Sequence, residues 1–218
     1  MNETFAAIRD YLRQHHVTLV AISKTKPAEE IRSVYEEGQR IFGENKVQEL
    51  TDKYEALPKD IQWHLVGHLQ TNKIKFVAPF VSLIHSIDSL KLLEEVNKLA
   101  KRNGRIQEVL LQIYIAREET KFGLSFDEAR DLLFDKSVSA LQNISIKGMM
   151  GMSTFTDDPI QVRKEFRSLK VFFEEMKSYR SENFKPEILS MGMSGDYKIA
   201  VEEGSNMVRI GSAIFGAR

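Results

Sequence analysis

The chain has 218 residues, 42% of them hydrophobic, and its 31 lysines and arginines balance 31 aspartates and glutamates. Because the net charge is zero, the composition argues against a general binder of nucleic acid or of an anionic membrane, which needs clustered positive charge. The chain contains no cysteine, which excludes a disulfide framework, a thiolate metal site and a cysteine nucleophile.

The first stretch of the chain, MNETFAAIRDYLRQHH, is charged and amphipathic and lacks the apolar core of a secretory signal. No apolar run approaches the roughly 20 residues that a membrane span needs. We therefore expect a cytoplasmic protein that has neither a nucleic acid nor a membrane as its partner.

Eight short β-rich runs follow one another along the chain, and each leads into a segment with helical periodicity. The predicted strands are residues 17–23, 40–44, 61–67, 81–88, 107–116, 144–152, 187–193 and 206–211. Pro27, Pro159 and the capping-box pair Ser125 and Glu128 mark helix starts. Eight β-then-α units predict an α/β fold, a closed (β/α)8 TIM barrel, with an open doubly wound sheet as the alternative. Since no linker-like stretch interrupts the pattern, residues 1–218 are predicted to form one domain.

Functional residues of such barrels lie at the carboxyl ends of the strands. Two Gly/Ser-containing stretches lie around the ends of predicted strands seven and eight, MGMSGD at 191–196 and RIGSAIFG at 209–216. Barrels often bind phosphate at this position, where free backbone N–H groups and hydroxyls meet the anion. Glycines that only form tight turns are the alternative, but the coincidence of two such stretches favours a phosphate site.

Lys24 ends the first predicted strand, which lies next to strand eight in a closed barrel. A lysine amine beside a phosphate site suggests pyridoxal 5′-phosphate, whose aldehyde bonds to an amine and whose phosphate suits the two loops. A strand-end lysine that extends to solvent is an equally good interpretation of this residue alone. Lys26 is the main rival for the covalent role.

Five stretches of the sequence carry a more specific signal. They are SKTKP (23–27), FGEN with VQE (42–49), WHLVGHLQTNK (63–73), LSMGMSGD (189–196) and MVRIGSAIFGAR (207–218). With these motifs, which span nearly the whole chain, the sequence closely resembles the YggS/PROSC family of pyridoxal-phosphate-binding proteins. SMGMS followed later by VRIGSAIFG is a highly specific combination.

The resemblance implies a barrel like the N-terminal domain of alanine racemase. It implies that pyridoxal 5′-phosphate forms a reversible Schiff base with Lys24. It also implies phosphate contacts from Met193 and Ser194 in one loop and from Gly211 and Ser212 in the other.

Two further positions match residues near the cofactor ring in that family. Arg209 matches the arginine that faces the pyridine nitrogen, and Asn45 matches an asparagine beside the ring. A guanidinium only donates hydrogen bonds, so Arg209 should keep this nitrogen unprotonated and make the ring a poor electron sink. Ser212 stands where many members have threonine and keeps the hydroxyl, whereas His68 stands where many bacterial members have proline.

The resemblance implies a role in intracellular pyridoxal phosphate homeostasis, in which the protein holds the cofactor and supplies it to PLP-dependent apoenzymes by transient contact. A racemase-like enzyme is the alternative. Racemisation needs an acid/base group on each face of the substrate carbon, and the sequence offers only Lys24. Alanine racemases also carry a second domain, for which we see no counterpart after strand eight. We therefore expect a monomer without catalytic residues.

The histidine spacing offers little support for a metal site. His64 and His68 are four residues apart, which suits metal binding on a helix, but they straddle a predicted strand end and have no acidic neighbour in the sequence. We expect no bound metal, and we expect His64 to be a packing residue.

Overall fold

The computed structural model describes residues 4–117, 122–179 and 181–216. Within these residues, eight parallel strands close into a barrel, each pairing with the next in the chain and β8 pairing with β1. The strands are β1 (Thr18–Ile22), β2 (Ile41–Glu44), β3 (Gln62–Leu65), β4 (Leu83–Ile87), β5 (Gln107–Tyr114), β6 (Ile144–Met152), β7 (Phe184–Ser190) and β8 (Met207–Ile210). The predicted closed barrel is confirmed, and the open sheet is excluded.

Helices follow the strands along the chain. They are α1 (Phe5–Gln14), α2 (Ala28–Glu36), α3 (Val47–Ala56), α4 (Ile74–Val77), α5 (Leu90–Arg102), α6 (Phe126–Phe134), α7 (Lys136–Ser139), α8 (Pro159–Met176), α9 (Tyr197–Glu202) and α10 (Ser212–Phe215), with a 3-10 turn at Thr71–Lys73. None of the helices in the described ranges combines the length and the apolar character that crossing a membrane requires.

The helix starts follow the local sequence signals. The Ser125 hydroxyl accepts the Glu128 N–H at 3.2 Å, and the Glu128 carboxylate accepts the Ser125 N–H at 2.8 Å, which is the predicted capping box. Pro159 is the first residue of α8, where its missing N–H has no consequence. Pro27 lies one residue before α2, so it caps that helix instead of standing in its first turn.

The apolar side chains form an outer layer and an inner layer, as the alternation along strands requires. Met149 and Trp63 belong to the outer layer, which packs against the helices. The barrel interior is filled by a smaller cluster, made of Val20, Leu83, Leu110, Met150 and Met207. Because this cluster fills the interior, the barrel can hold a ligand only at one of its ends.

The seventh strand lies three residues earlier than predicted. It spans 184–190 and not 187–193, so the MGM stretch is a loop. Pro186 argues against a strand in the sequence because it cannot donate a ladder hydrogen bond. The pairing of β7 with β6 is irregular here, since its register shifts between Ile146 and Gly148. Because β7 ends at Ser190, Met193 and Ser194 lie within the loop that follows the strand.

Candidate functional site

The strand register brings three of the predicted site residues to one end of the barrel. The paired positions at this end are Ile22 with Gly43 and Ala21 with Ile210. Lys24, Asn45 and Ser212 each follow one of these positions by two residues. Since the strands are parallel, the three residues leave the sheet together at the carboxyl end, where barrels of this kind carry their sites.

Lys24 lies in a tight turn directly after β1 and is half-buried. The turn is completed by Thr25, whose φ of +65° is unusual for a β-branched residue. Among the residues that the structure describes, none accepts a hydrogen bond from the Lys24 ammonium group or forms an ion pair with it. Its amine is therefore available for a ligand.

Lys26 has a different environment. Its ammonium donates to the carbonyl of Phe215 at 2.7 Å and lies 3.4 Å from the carboxylate of Glu30. This lysine ties the loop after β1 to the end of α10. The two lysines of SKTKP thus differ in that one amine is free and the other is engaged.

The loops after β7 and β8 contact each other through Ser194. Its hydroxyl oxygen accepts the N–H of Gly211 at 3.3 Å and the N–H of Ala213 at 3.4 Å. Gly211 lies close to β1, because a Cβ on it would stand 2.9 Å from the Ile22 carbonyl oxygen. The two predicted phosphate loops are therefore brought together, next to the strand that leads to Lys24.

Several N–H groups of these loops have no acceptor among the residues described. They include those of Ser194, Gly195 and Ser212. The Met193 N–H, in contrast, donates to the Asp196 carboxylate at 2.6 Å. A set of free backbone donors with serine hydroxyls beside them matches the chemistry of a phosphate group.

Arg209 of β8 is buried, with 4% of its surface exposed. Its guanidinium donates to the Ser190 carbonyl at 2.9 Å, to the Ser190 hydroxyl at 2.6 Å and to the Gly151 carbonyl at 2.9 Å. Within the described part of the chain, these bonds use three of its five N–H groups and leave the Nε–H and one Nη2 hydrogen. Burial lowers the pKa of Arg209 to about 10 while the Asp196 carboxylate opposes the shift, so the group stays a cation at neutral pH.

A histidine pair continues from Arg209 into the barrel. The Ser190 hydroxyl lies 3.5 Å from His85 Nδ1, and His85 Nε2 lies 3.0 Å from His64 Nδ1. His85 comes two residues after the interior residue Leu83, so it faces the same way. The prediction that His64 is a packing residue is confirmed, since it is 4% exposed, but its partner His85 was not predicted. Strand alternation, which places His85 inside, was the signal that could have found it.

Both histidines are neutral in the folded protein. Burial lowers the pKa of His64 to about 3. Burial also lowers the pKa of His85 well below its ordinary value, and the neighbouring His64 and the Arg209 cation lower it further. The row of contacting side chains from Arg209 to His64 therefore carries one positive charge. That charge is on Arg209, at the end of the row nearest the free Lys24 amine and the loops.

The remaining candidate residues lie around this end of the barrel. Asn45 is half-buried, and its backbone carbonyl would be 2.3 Å from a Cβ on Gly67. His68 lies 3.4 Å from the Asp88 carboxylate and stacks on the ring of Phe122 at 4.6 Å. In the described ranges, no three histidine, aspartate or glutamate residues lie close enough to hold a metal ion.

These residues fit the donor set that pyridoxal phosphate requires. The free N–H groups after β7 and β8 suit its phosphate, the unused guanidinium hydrogens suit a ring nitrogen, and the free Lys24 amine suits an aldehyde. The model of the alanine racemase N-terminal domain family matches residues 1–218, so the chain belongs to that domain family.

Individual relatives give a narrower assignment. The pyridoxal phosphate homeostasis protein of Aquifex aeolicus is 41% identical over 201 residues, which cover 92% of this chain and 86% of the relative. The pyridoxal phosphate homeostasis protein of Escherichia coli is 36% identical over an alignment that covers 98% of this chain and 91% of the relative. The chain belongs to the family of pyridoxal phosphate homeostasis proteins.

Solved structures agree with this assignment. PipY of Synechococcus elongatus without PLP superposes with a TM-score of 0.90 at 35% identity, covering 97% of both chains. The same protein with PLP bound gives 0.84 at 34% identity, covering 95% of this chain and 98% of PipY. An alanine racemase of Clostridium difficile, 14% identical with a TM-score of 0.77, shares the fold over 99% of this chain and 60% of its own.

Proposed function

We propose that this protein binds pyridoxal 5′-phosphate at the carboxyl end of its barrel and holds it through a reversible covalent bond to Lys24. The observation that carries the proposal is the free Lys24 amine beside two loops with unpaired N–H groups. When bound, the cofactor supplies an aldehyde: the unprotonated amine adds to the carbon, the oxygen leaves as water with both amine hydrogens, and a C=N bond results.

The phosphate would be held by the loops after β7 and β8. The N–H groups of Ser194, Gly195 and Ser212 are the available donors. Ser194 also fixes the second loop through its hydroxyl, so it has two roles. The N–H of Met193 donates to Asp196 and is not available to the phosphate. A thioether cannot donate a hydrogen bond, so for Met193 we propose only a van der Waals contact of its exposed side chain with the cofactor.

Lys24 is a better candidate than Lys26 because only its amine is free. Forming a covalent bond at Lys26 would break its hydrogen bond to Phe215 and its contact with Glu30. Each of these would leave an acceptor without its partner, which costs about 1–3 kcal/mol where the acceptor is buried. Asn45, which follows β2 at the same end, would lie beside the ring.

Arg209 favours holding the cofactor over using it in catalysis. Its free hydrogens are donors, so the ring nitrogen that faces them must accept, and a proton on that nitrogen would meet a buried cation. An unprotonated ring stabilises carbanions poorly, which disfavours chemistry such as transamination. We propose that the protein stores the cofactor and passes it to PLP-dependent apoenzymes by transient contact, as a cytoplasmic monomer.

The transfer role can be tested with the loaded protein. After free cofactor is removed, the protein is mixed with the apo form of an aminotransferase, and recovery of aminotransferase activity is followed. The matched control is the same protein after borohydride reduction, which fixes the cofactor. We expect recovery from the native donor only. Equal recovery of aminotransferase activity with the native and the reduced donor would contradict the proposal. So would interconversion of alanine enantiomers by the protein itself at a typical enzyme rate above about 1 s⁻¹.

A further inference from the structure

A group of three charged residues, two of them buried, lies directly behind the turn that carries Lys24. Lys53 of α3 contacts the carboxylates of Glu44 and Glu49, each at 2.7 Å. The side chains of Lys53 and Glu44 are 8% and 0% exposed. We call Glu44, Glu49 and Lys53 the charged triad. The phosphate, ring and aldehyde contacts proposed above use none of its members.

The triad holds the residue immediately before Lys24. The Lys53 ammonium donates to the Ser23 carbonyl at 2.7 Å, and the Ser23 hydroxyl donates to Glu44 at 2.6 Å. The Ser23 N–H also donates to the Gly43 carbonyl at 3.0 Å. Ser23 is fully buried, so its backbone position is fixed by bonds to β2 and α3.

The triad also holds the residue immediately after Lys24. The Thr25 N–H donates to the Glu49 carboxylate at 2.5 Å. Thr25 has a φ of +65°, and a β-branched residue reaches that conformation only at a cost of about 1–2 kcal/mol. A charge-assisted hydrogen bond to Glu49 offsets this cost. Both neighbours of Lys24 are thus held by the triad while Lys24 itself is not.

If the triad served only to join β2 to α3, its bonds to Ser23 and Thr25 would not be needed. The contact of Lys53 with Glu44 already joins the two elements. The bonds to Ser23 and Thr25 are additional, and they restrain a strained turn whose central amine has no partner in the described part of the chain. Restraining the backbone on both sides of one side chain fixes the direction in which that side chain leaves the turn.

We propose that Lys53 is a positioning residue: through the charged triad it holds the Lys24 turn in the conformation that presents the amine to the cofactor aldehyde. The inference rests on the proposed function and adds a residue to it. Breaking the triad should slow the covalent step, since a misplacement of about 1 Å at a reacting group costs on the order of 10²-fold in rate. It should leave phosphate and ring contacts intact.

Two ligands separate positioning from general damage to the site. Pyridoxal 5′-phosphate reports covalent attachment through the growth of its absorption band in stopped flow. Pyridoxine 5′-phosphate has the same phosphate and ring but an alcohol in place of the aldehyde, so its Kd reports the noncovalent contacts alone. For Lys53→Met we expect attachment about 10- to 100-fold slower, with the Kd of pyridoxine 5′-phosphate changed by less than about two-fold.

Three further variants complete the test. Lys53→Arg keeps the charge and should recover part of the rate. Glu49→Ala releases Thr25 but leaves the Lys53–Glu44 pair in place, so it keeps the question answerable if Lys53→Met does not fold. Lys59→Met is the control, because Lys59 is exposed beyond the end of the same helix. Its ammonium contacts the carbonyls of Tyr54 and Glu55 and the ring of Tyr54, and no member of the charged triad.

Each outcome distinguishes this inference from the proposed function. Unchanged attachment in both Lys53→Met and Glu49→Ala would overturn the positioning role and leave the proposed function standing. An equal loss in attachment and in pyridoxine 5′-phosphate affinity would overturn it in favour of a purely structural role. Failure of the unaltered protein to attach pyridoxal 5′-phosphate at all would overturn both.

Discussion

Lowering the pH should destabilise this protein through the buried pair of His64 and His85. The pKa of His64 is lowered to about 3 by burial, whereas in the unfolded chain it is about 6.5. The folded state keeps the histidine neutral, so below about pH 6.5 only the unfolded state gains the proton. The stability contributed by the neutral pair is therefore present above that pH and is lost as the pH falls towards 3.

The size of the effect follows from the slope of about 1.4 kcal/mol per pH unit for each proton bound only by the unfolded chain. The interval from about pH 7.5 to about pH 5.5 is centred on the pKa of the unfolded histidine, which is therefore half protonated on average. Over these two pH units, His64 alone should lower the free energy of unfolding by about 1.4 kcal/mol. The pKa of His85 is also well below its ordinary value, so the pair together should lower it by about 2.7 kcal/mol.

Urea unfolding at the two pH values provides the assay. The fluorescence of Trp63, the single tryptophan of the chain and a fully buried one, reports the transition. The double variant His64→Gln/His85→Gln keeps hydrogen-bonding side chains that do not titrate, and it should lose less stability than the unaltered protein by about 2.7 kcal/mol. Equal losses in the two proteins would refute the assignment of neutral, buried histidines.

Two other substitutions test the fold and the phosphate loops. Gly148→Ala should cost about 3 kcal/mol or more of stability, because Gly148 has a φ of +149° and its Cβ would stand 1.9 Å from the Ile188 carbonyl oxygen. The control is Gly104→Ala, where φ is +63° and no atom lies within 4 Å, so thermal unfolding should show a loss of only about 1 kcal/mol. Equal losses in the two variants would refute the clash. Ser194→Ala removes the acceptor for two N–H groups and should raise the Kd for pyridoxal 5′-phosphate, measured by equilibrium dialysis, about ten-fold. Ser178→Ala, in an exposed turn, is the control and should leave the Kd unchanged. An unchanged Kd for Ser194→Ala would show that this hydroxyl has no role in cofactor binding.

The barrel was predictable because its signal is repeated and local. Alternating β-rich and helical segments give the number and order of strands, and capping residues such as Ser125 and Pro159 give the helix starts. The error in β7 has a local cause as well. Its strand contains Pro186, which lies where the pairing with β6 is irregular, and that irregularity depends on the partner strand as well.

The location of the candidate site at the strand ends could be predicted from the sequence, whereas the residues that support it could not. Lys24 and the Gly/Ser loops lie at the ends of predicted strands, where the fold itself directs attention. The triad of Glu44, Glu49 and Lys53 has no such signal, because a lysine in a polar helix is indistinguishable from a solvated one until the helix is docked. Its burial is a property of packing, and only three-dimensional structure reveals it.

The central claim is that Lys24 is the residue that holds the cofactor, and one measurement tests it directly. The protein is saturated with pyridoxal 5′-phosphate, reduced with borohydride and digested, and the labelled lysine is identified by mass spectrometry in the unaltered chain, in Lys24→Ala and in Lys26→Ala. We predict that the label lies on Lys24, is absent from Lys24→Ala and persists in Lys26→Ala. A label on Lys26 or another lysine of the unaltered chain, or one retained at full yield in Lys24→Ala, would contradict the account.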